Sequence, residues 1–430
     1  MRPGPSLLAA ATVAVGVSAV AGALAVDDAL PAAPSDTRLA HAYVHALLWG
    51  MTALVALAVM IIVMNAFAAS LRRRTHALAL LRATGTAPTP VAVAVLLQAT
   101  AIGLLGAALG MLGGIGVIRL LDTGFTSRGG PLVDLSTAPR PAAIIIGLLA
   151  AVCGAAPPAI GAALTPPAGS TPPDDAARPA LSRGVAGAVL SLLAMAGIGV
   201  TWRVTDLPQR VTVLGVSASL LLLGVLLALP WALRPFVMLL GLPARSTTSG
   251  GLAVRRLAAA PRQGAALAAP PLLAAAATCL AAPTAASLRK SLNQPGYLDV
   301  VLDALPAMLV GMAVLAGICA AGAVSAHASR RTAETTLLRA LGQTRGQSVG
   351  QFLCEALLAG AGGVILGGIC GLLLSTALST VLADRGLDEI VIPWMQLLAP
   401  ALVGGVGGVL AALAPALRAT RPPTGADTTE

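Results

Sequence analysis

Few residues in this chain have charge to offer, and they fall twice into one arrangement. Residues 330 to 342 read R-R-T-A-E-T-T-L-L-R-A-L-G and place Arg331, Glu334 and Arg339 ahead of Gly342. Residues 74 to 85 read R-T-H-A-L-A-L-L-R-A-T-G and place Arg74 and Arg82 ahead of Gly85. Arg331 lies 257 positions after Arg74, and the same offset separates Arg339 from Arg82 and Gly342 from Gly85. Each phrase is helix-compatible and sits between two long apolar runs. Charge presented in this way suits contact with a partner. Anchoring of a membrane-helix end needs the same charges, but repetition of R-T-x-x-x-x-L-L-R-A-x-G favours the partner contact. Reaction chemistry has no such support: no Ser/His/Asp or Cys/His arrangement stands out.

The elements that carry these phrases are membrane spans. The chain is 57% hydrophobic and 10% charged, with a mean hydropathy of +0.88, against about 25% charged residues in a soluble domain. Apolar runs of about 20 residues recur throughout, which predicts an all-α polytopic membrane protein rather than a barrel. Ten spans are expected: residues 6–26, 44–70, 91–121, 141–163, 184–202, 211–240, 263–285, 304–327, 349–382 and 397–417. The first also fits a cleaved signal peptide. A retained helix is the better reading, because adding 257 lands on the seventh span. Pro88 and Pro90 read as stops for the first charged phrase, and Pro230 as a kink or end of span 6. Short polar loops are expected at 27–43, 122–140 and 286–303, a linker at 164–183, and a basic loop carrying Arg245, Arg255, Arg256 and Arg262.

The offset predicts two parallel four-helix repeats, residues 1–167 and 263–424, joined by residues 168–262 with spans 5 and 6. Residues 425–430 form a polar tail. Six spans precede the second copy, so both copies share one orientation and are related by a pseudo-two-fold axis along the membrane normal. With a cytoplasmic N-terminus, 18 of 27 basic residues fall inside and 11 of 17 acids outside. The positive-inside rule therefore places both termini and both charged phrases in the cytoplasm of a plasma-membrane protein. The net charge of +10 is accounted for by these loops, and at 2% aromatic residues stacking on nucleic acid is not expected.

Gly106, Gly110 and Gly114 lie four apart on span 3, as do Gly363, Gly367 and Gly371 on span 9. Small residues at this spacing let helices approach closely. Either they line a moving interface between the copies, or they serve ordinary tight packing. Glu355 lies about two turns inside span 9. An intramembrane acid is a candidate functional group, although at this depth it can also reach the interface as a structural residue. His41 and His45 stand four apart near Asp36. That spacing suits a metal, but no third ligand is evident and the second copy has Leu298 and Leu302 there, so no metal site is assigned. The five cysteines lie in apolar runs without C-x-x-C spacing and read as small buried hydrophobes.

The second phrase, the helix before it and the glycine-rich helix after it resemble the FtsX/MacB-type permease family of ABC transporters. The family pattern falls on Arg331, Glu334, Leu337, Leu338, Arg339, Ala340, Leu341 and Gly342, with Glu355 as the acid near the start of the next helix. The first copy departs from it with Ala77 and Gln98 at the two acidic positions. The resemblance implies a permease subunit whose two cytoplasmic phrases are coupling segments for a separate P-loop ATPase dimer. Arg74, Arg82, Gly85, Arg331, Glu334, Arg339 and Gly342 would carry that contact. ATP and Mg would then be bound by the partner, and no cofactor by this chain. Independently, the chain's only lysine is Lys290, in an expected outer loop, so it has no Walker A sequence and is not expected to be an enzyme. Large outer domains are missing after the first span of each copy, which favours export or extraction of a hydrophobic or amphipathic compound, such as a lipid or an antibiotic, within membrane lipid. The alternative is an ATP-driven mechanotransmission or signalling module that acts on an outer partner without transport.

Overall fold

A computed structural model describes residues 4–29, 38–72, 80, 83–127, 141–164, 181–292, 337–338 and 340–383. These residues are almost entirely helical. The helices are α1 (Gly4–Ala29), α2 (Arg38–Arg72), α3 (Pro88–Ser127), α4 (Pro141–Ala163), α5 (Leu181–Thr201), α6 (Leu207–Leu240), α7 (Thr248–Ala259), α8 (Pro261–Leu292) and α9 (Arg345–Ala383). A short 3-10 turn, Pro243–Ser246, precedes α7. Among the described residues, seven helices are long and apolar enough to cross a membrane: α2 to α6, α8 and α9. The apolar stretch of α1, Ala9–Ala25, is shorter. Spans 8 and 10 lie outside the described residues.

The helices pack as two groups. In the first, α1 lies against α3, α2 and α4, and α4 also contacts α2 and α3. In the second, α8 lies along α9. The offset of 257 carries Pro88, the first residue of α3, onto Arg345, the first of α9, and Gly4 of α1 onto Pro261 of α8. The groups touch where α2 meets α8; a Cβ built on Gly50 would stand 3.9 Å from Leu280. α5 and α6 form a hairpin with backbones in close approach, since a Cβ on Gly187 would stand 2.6 Å from the Gly224 carbonyl oxygen. Through α6 this hairpin abuts α9, α8 and α2. α8 is the most enclosed of the seven spans and α5 the most exposed, which suits an outer hairpin facing lipid.

Several expected boundaries are corrected. Pro88 and Pro90 do not end the first charged phrase; they occupy the first turn of α3. Proline has no N–H, and the N–H groups of a first turn have no intrahelical partner, so nothing is lost there. α6 continues through Pro230 and Pro235 to Leu240, as membrane helices tolerate when neighbours re-satisfy the backbone. The outer loops are shorter than expected, because helix persists to Ala29, Ser127 and Leu292 and resumes at Arg38. Hydropathy marks where a chain is apolar, whereas helical hydrogen bonding runs past that limit.

The basic loop contains a helix that was not expected. α7 is capped by Thr247, whose Oγ1 accepts from the Gly250 N–H at 3.1 Å. It buries Gly250, Ala253, Val254 and Leu257 and leaves Arg255 exposed. One residue, Ala260, separates it from α8.

α3 has 40 residues and α9 has 39. At about 1.5 Å per residue each is about 60 Å long, twice the about 30 Å of a hydrocarbon core. Both helices thus project beyond a bilayer.

Candidate functional site

The two phrases end in the same local geometry. Gly85 has φ +89° and Gly342 φ +97°, the positive-φ glycines among the described residues. Only glycine enters this region without steric cost, and it is a common way to close a helix. The Thr84 N–H donates to the Leu80 carbonyl at 3.1 Å, and the Leu341 N–H to the Leu337 carbonyl at 3.1 Å. In the second copy the Gln343 N–H also reaches the Leu338 carbonyl at 3.0 Å, the six-to-one bond of a Schellman ending. Each phrase therefore closes as a helical turn, and the chain then swings into α3 or α9. Arg74, Arg82, Arg331, Glu334 and Arg339 lie outside the described residues.

The helix that follows is started differently in each copy. α3 begins with proline. α9 begins with a capping box: the Gln347 N–H donates to Thr344 Oγ1 at 3.3 Å, and the Thr344 N–H donates to Gln347 Oε1 at 3.0 Å. Two N–H groups that a helix start leaves over are satisfied reciprocally. Sequence reading passed over this T-R-G-Q signal.

Beyond the cap a polar chain runs into the protein. Gln343 Nε2 donates to Gln351 Oε1 at 3.3 Å, and Gln351 Nε2 donates to Glu355 Oε1 at 3.1 Å. Glu355 is 1% exposed and Gln351 6%. Glu355 does not lie open to the interface, as its depth in sequence suggested. α7 packs over this end of α9, with Ser249 Oγ 3.6 Å from where a Cβ on Gly350 would stand. Arg256 of α7 interacts electrostatically with Glu355. Burial lowers the Arg256 pKa from its ordinary value, and the Glu355 charge works in the opposite direction. A buried carboxylate is costly without hydrogen bonds and opposing charge, and here both are supplied. Gln343, Gln351 and Arg256 were not singled out from sequence. Spacing of i, i+4 from Gln351 to Glu355 was the one signal that could have linked two of them.

The six glycines, three in each copy, pack within their own copy. A Cβ on Gly106 would stand 2.7 Å from the Ala10 carbonyl oxygen, and one on Gly110 would stand 2.6 Å from that of Ala14. Gly114 faces Ala21 and Ser18. On α9, Gly363, Gly367 and Gly371 face the backbone of Ala268, Leu272 and Ala276. Among the described residues the close approach is therefore α3 to α1 and α9 to α8, whereas the two copies touch there through α2 and α8. Ser18 adds a cross-helix bond, its Oγ donating to the Gly110 carbonyl at 2.9 Å.

At the opposite end of the molecule, His45 Nδ1 lies 2.6 Å from Asp27 Oδ1. His45 thus meets a carboxylate on α1 that was not considered beside it, while the His41 side chain and Asp36 lie outside the described residues. No cluster of three metal-capable side chains occurs among the described residues.

The model of the FtsX-like permease C-terminal domain matches residues 49–167 and again 306–424, together more than half of the chain. The chain belongs to the FtsX-like permease family. The two matched segments begin 257 positions apart and end 257 positions apart, the offset of the two charged phrases. No curated protein and no solved structure matches the chain. As an FtsX-like permease with seven bilayer-length helices among its described residues, it is a multi-pass membrane component of the ABC transporter permease type, a family whose members normally pair with an ATPase subunit.

Proposed function

We propose that this permease is driven by a separate P-loop ATPase dimer that docks on its two coupling segments, residues 74–85 and 331–342. The observation that carries this is the matched closure of the two segments by left-handed Gly85 and Gly342, each followed by a helix of about 40 residues. Two equivalent, rigidly ended turns on helices that project past a bilayer fit a partner that is itself two-fold symmetric. Arg82 and Arg339 supply the charge for that contact, with Arg74, Arg331 and Glu334 beside them. ATP and Mg are bound by the partner, and this chain performs no chemistry.

The cycle is mechanical. ATP draws the ATPase subunits together, the segments follow, and α3 and α9 carry the motion through their glycine seams to α1 and α8. The copies then shift against one another at the α2–α8 contact. Both termini and both segments are cytoplasmic, and the membrane is the plasma membrane. A hydrophobic or amphipathic compound, a lipid or an antibiotic, is moved outward.

The test is purification of the tagged permease from its native membrane in mild detergent. A stoichiometric P-loop ATPase is expected to remain bound, and to be lost when Arg82 and Arg339 are both replaced by Glu while membrane insertion persists. Retention of the ATPase on that double variant would contradict docking at these segments.

A further inference from the structure

Deepening that reading, and resting on it, the polar chain at the start of α9 has a role that packing alone does not require. Its first member, Gln343, follows Gly342 directly and is held to the coupling segment by the bond from its N–H to the Leu338 carbonyl at 3.0 Å. Its last member, Glu355, is the one carboxylate among the fully buried side chains of the described residues. Between them, Gln351 is bonded in both directions, at 3.3 and 3.1 Å. Packed on this end of α9 is α7, whose Arg256 interacts electrostatically with Glu355 and which joins α8 through the single residue Ala260. α8 in turn is, among the described residues, the helix of the second copy that packs on α2 of the first.

Among the described residues the first copy shows none of this. At the corresponding positions it has Thr86, Ala94 and Gln98. Ala94 and Gln98 are exposed, where Gln351 and Glu355 are buried. Among the described residues no helix covers that face of α3 as α7 covers α9.

We propose that Gln343, Gln351, Glu355 and Arg256 form a positioning relay that ties the second coupling segment to α7 and thereby to α8, making the second copy the half that follows the ATPase stroke more tightly. Hydrogen bonds between buried groups are short-range and directional, so a displaced Gln343 drags its partners or leaves them unsatisfied. α9 and α7, which pack together near the start of α9, then move as one body. Among the described residues the first segment shows no such link, so its copy follows the stroke through the α3–α1 seam.

The test uses the permease–ATPase complex in vesicles of phosphatidylethanolamine and phosphatidylglycerol. Permease-dependent stimulation of ATP hydrolysis is measured for Glu355→Gln, Gln351→Leu, Arg256→Gln and the Glu355→Gln/Arg256→Gln pair. The bound ATPase and the KM for ATP are expected to stay at wild-type values, while stimulated kcat falls about tenfold, a coupling loss of the size that mutations along such networks produce. The double variant is expected to be no worse than the poorer single one, because the residues act as a unit. Glu355→Asp is expected to restore part of the stimulation, and Gln98→Ala to leave it unchanged. Should the Glu355 variant fail to assemble, Gln343→Ala, which touches only the half-buried start of the chain, carries the same expectation. Wild-type stimulation with Gln351→Leu and Gln343→Ala would overturn the relay, as would an equal loss with Gln98→Ala. An ATPase that never binds the wild-type permease overturns instead the docking reading beneath it.

Discussion

The N-terminal ends of α3 and α9 are 257 residues apart, follow glycines with the same left-handed backbone, and are preceded by the same Thr84-to-Leu80 and Leu341-to-Leu337 bonds. Around that shared backbone the side chains differ. α3 starts on Pro88 and shows Ala94 and Gln98 to the outside; α9 starts on a Thr344–Gln347 capping box and encloses Gln351 and Glu355 beneath α7. A duplicated unit can thus keep the backbone turn that closes its charged phrase while, among the described residues, only one copy has the polar chain behind it.

The largest effect that sharpens this comparison lies in what the copies share. Gly110→Leu and Gly367→Leu each drive a side chain into a backbone carbonyl of the neighbouring helix, that of Ala14 or Leu272. Overpacking of this kind costs about 1–3 kcal/mol and more where backbone is the obstacle. Both variants are expected to lower the yield of folded protein and its melting temperature in detergent alike; a loss from one alone would break the equivalence of the two seams.

Smaller and again symmetric is the effect at the closing glycines. A Cβ on Gly85 or Gly342 meets nothing within 4 Å, so Gly→Ala there costs only the left-handed backbone, about 1–2 kcal/mol. Equal losses of ATPase binding are expected from Gly85→Ala and Gly342→Ala, read by co-purification. A loss confined to Gly342 would mean that only one segment docks.

The smallest effect is asymmetric. Thr344→Ala removes the capping box and is expected to cost about 1 kcal/mol, seen as faster amide exchange in the first turn of α9. The corresponding Ala87→Val in front of Pro88 is expected to change little, because neither side chain can cap and no capping box stands in that copy to be lost. Equal exchange in both first turns would erase the distinction drawn between the two starts.

Much of the architecture was legible because membrane helices announce themselves by length and apolarity and because a constant offset needs no structure to be seen. The bounds of α4, residues 141–163, coincide with the apolar run. What was not legible depended on partners. Gly106, Gly110 and Gly114 declare by spacing that something comes close, but not that it is α1. The depth of Glu355 in its helix suggested access to the interface, whereas the packing around α9 buries it. α7 itself was hidden because Arg245, Arg255, Arg256 and Arg262 dominate a stretch whose buried side is Gly250, Ala253, Val254 and Leu257, residues too few and too interrupted to register as an apolar run. Pro88 and Pro90 misled because the same missing N–H that ends one helix is harmless at the start of the next.

One measurement tests the central claim, that a single chain presents two equivalent docking segments to an ATPase dimer. The mass of the intact complex, released from detergent in the gas phase, counts its subunits. One 42.4 kDa permease chain with two ATPase subunits is the predicted result. One ATPase subunit per chain, or two permease chains sharing an ATPase pair, would contradict it.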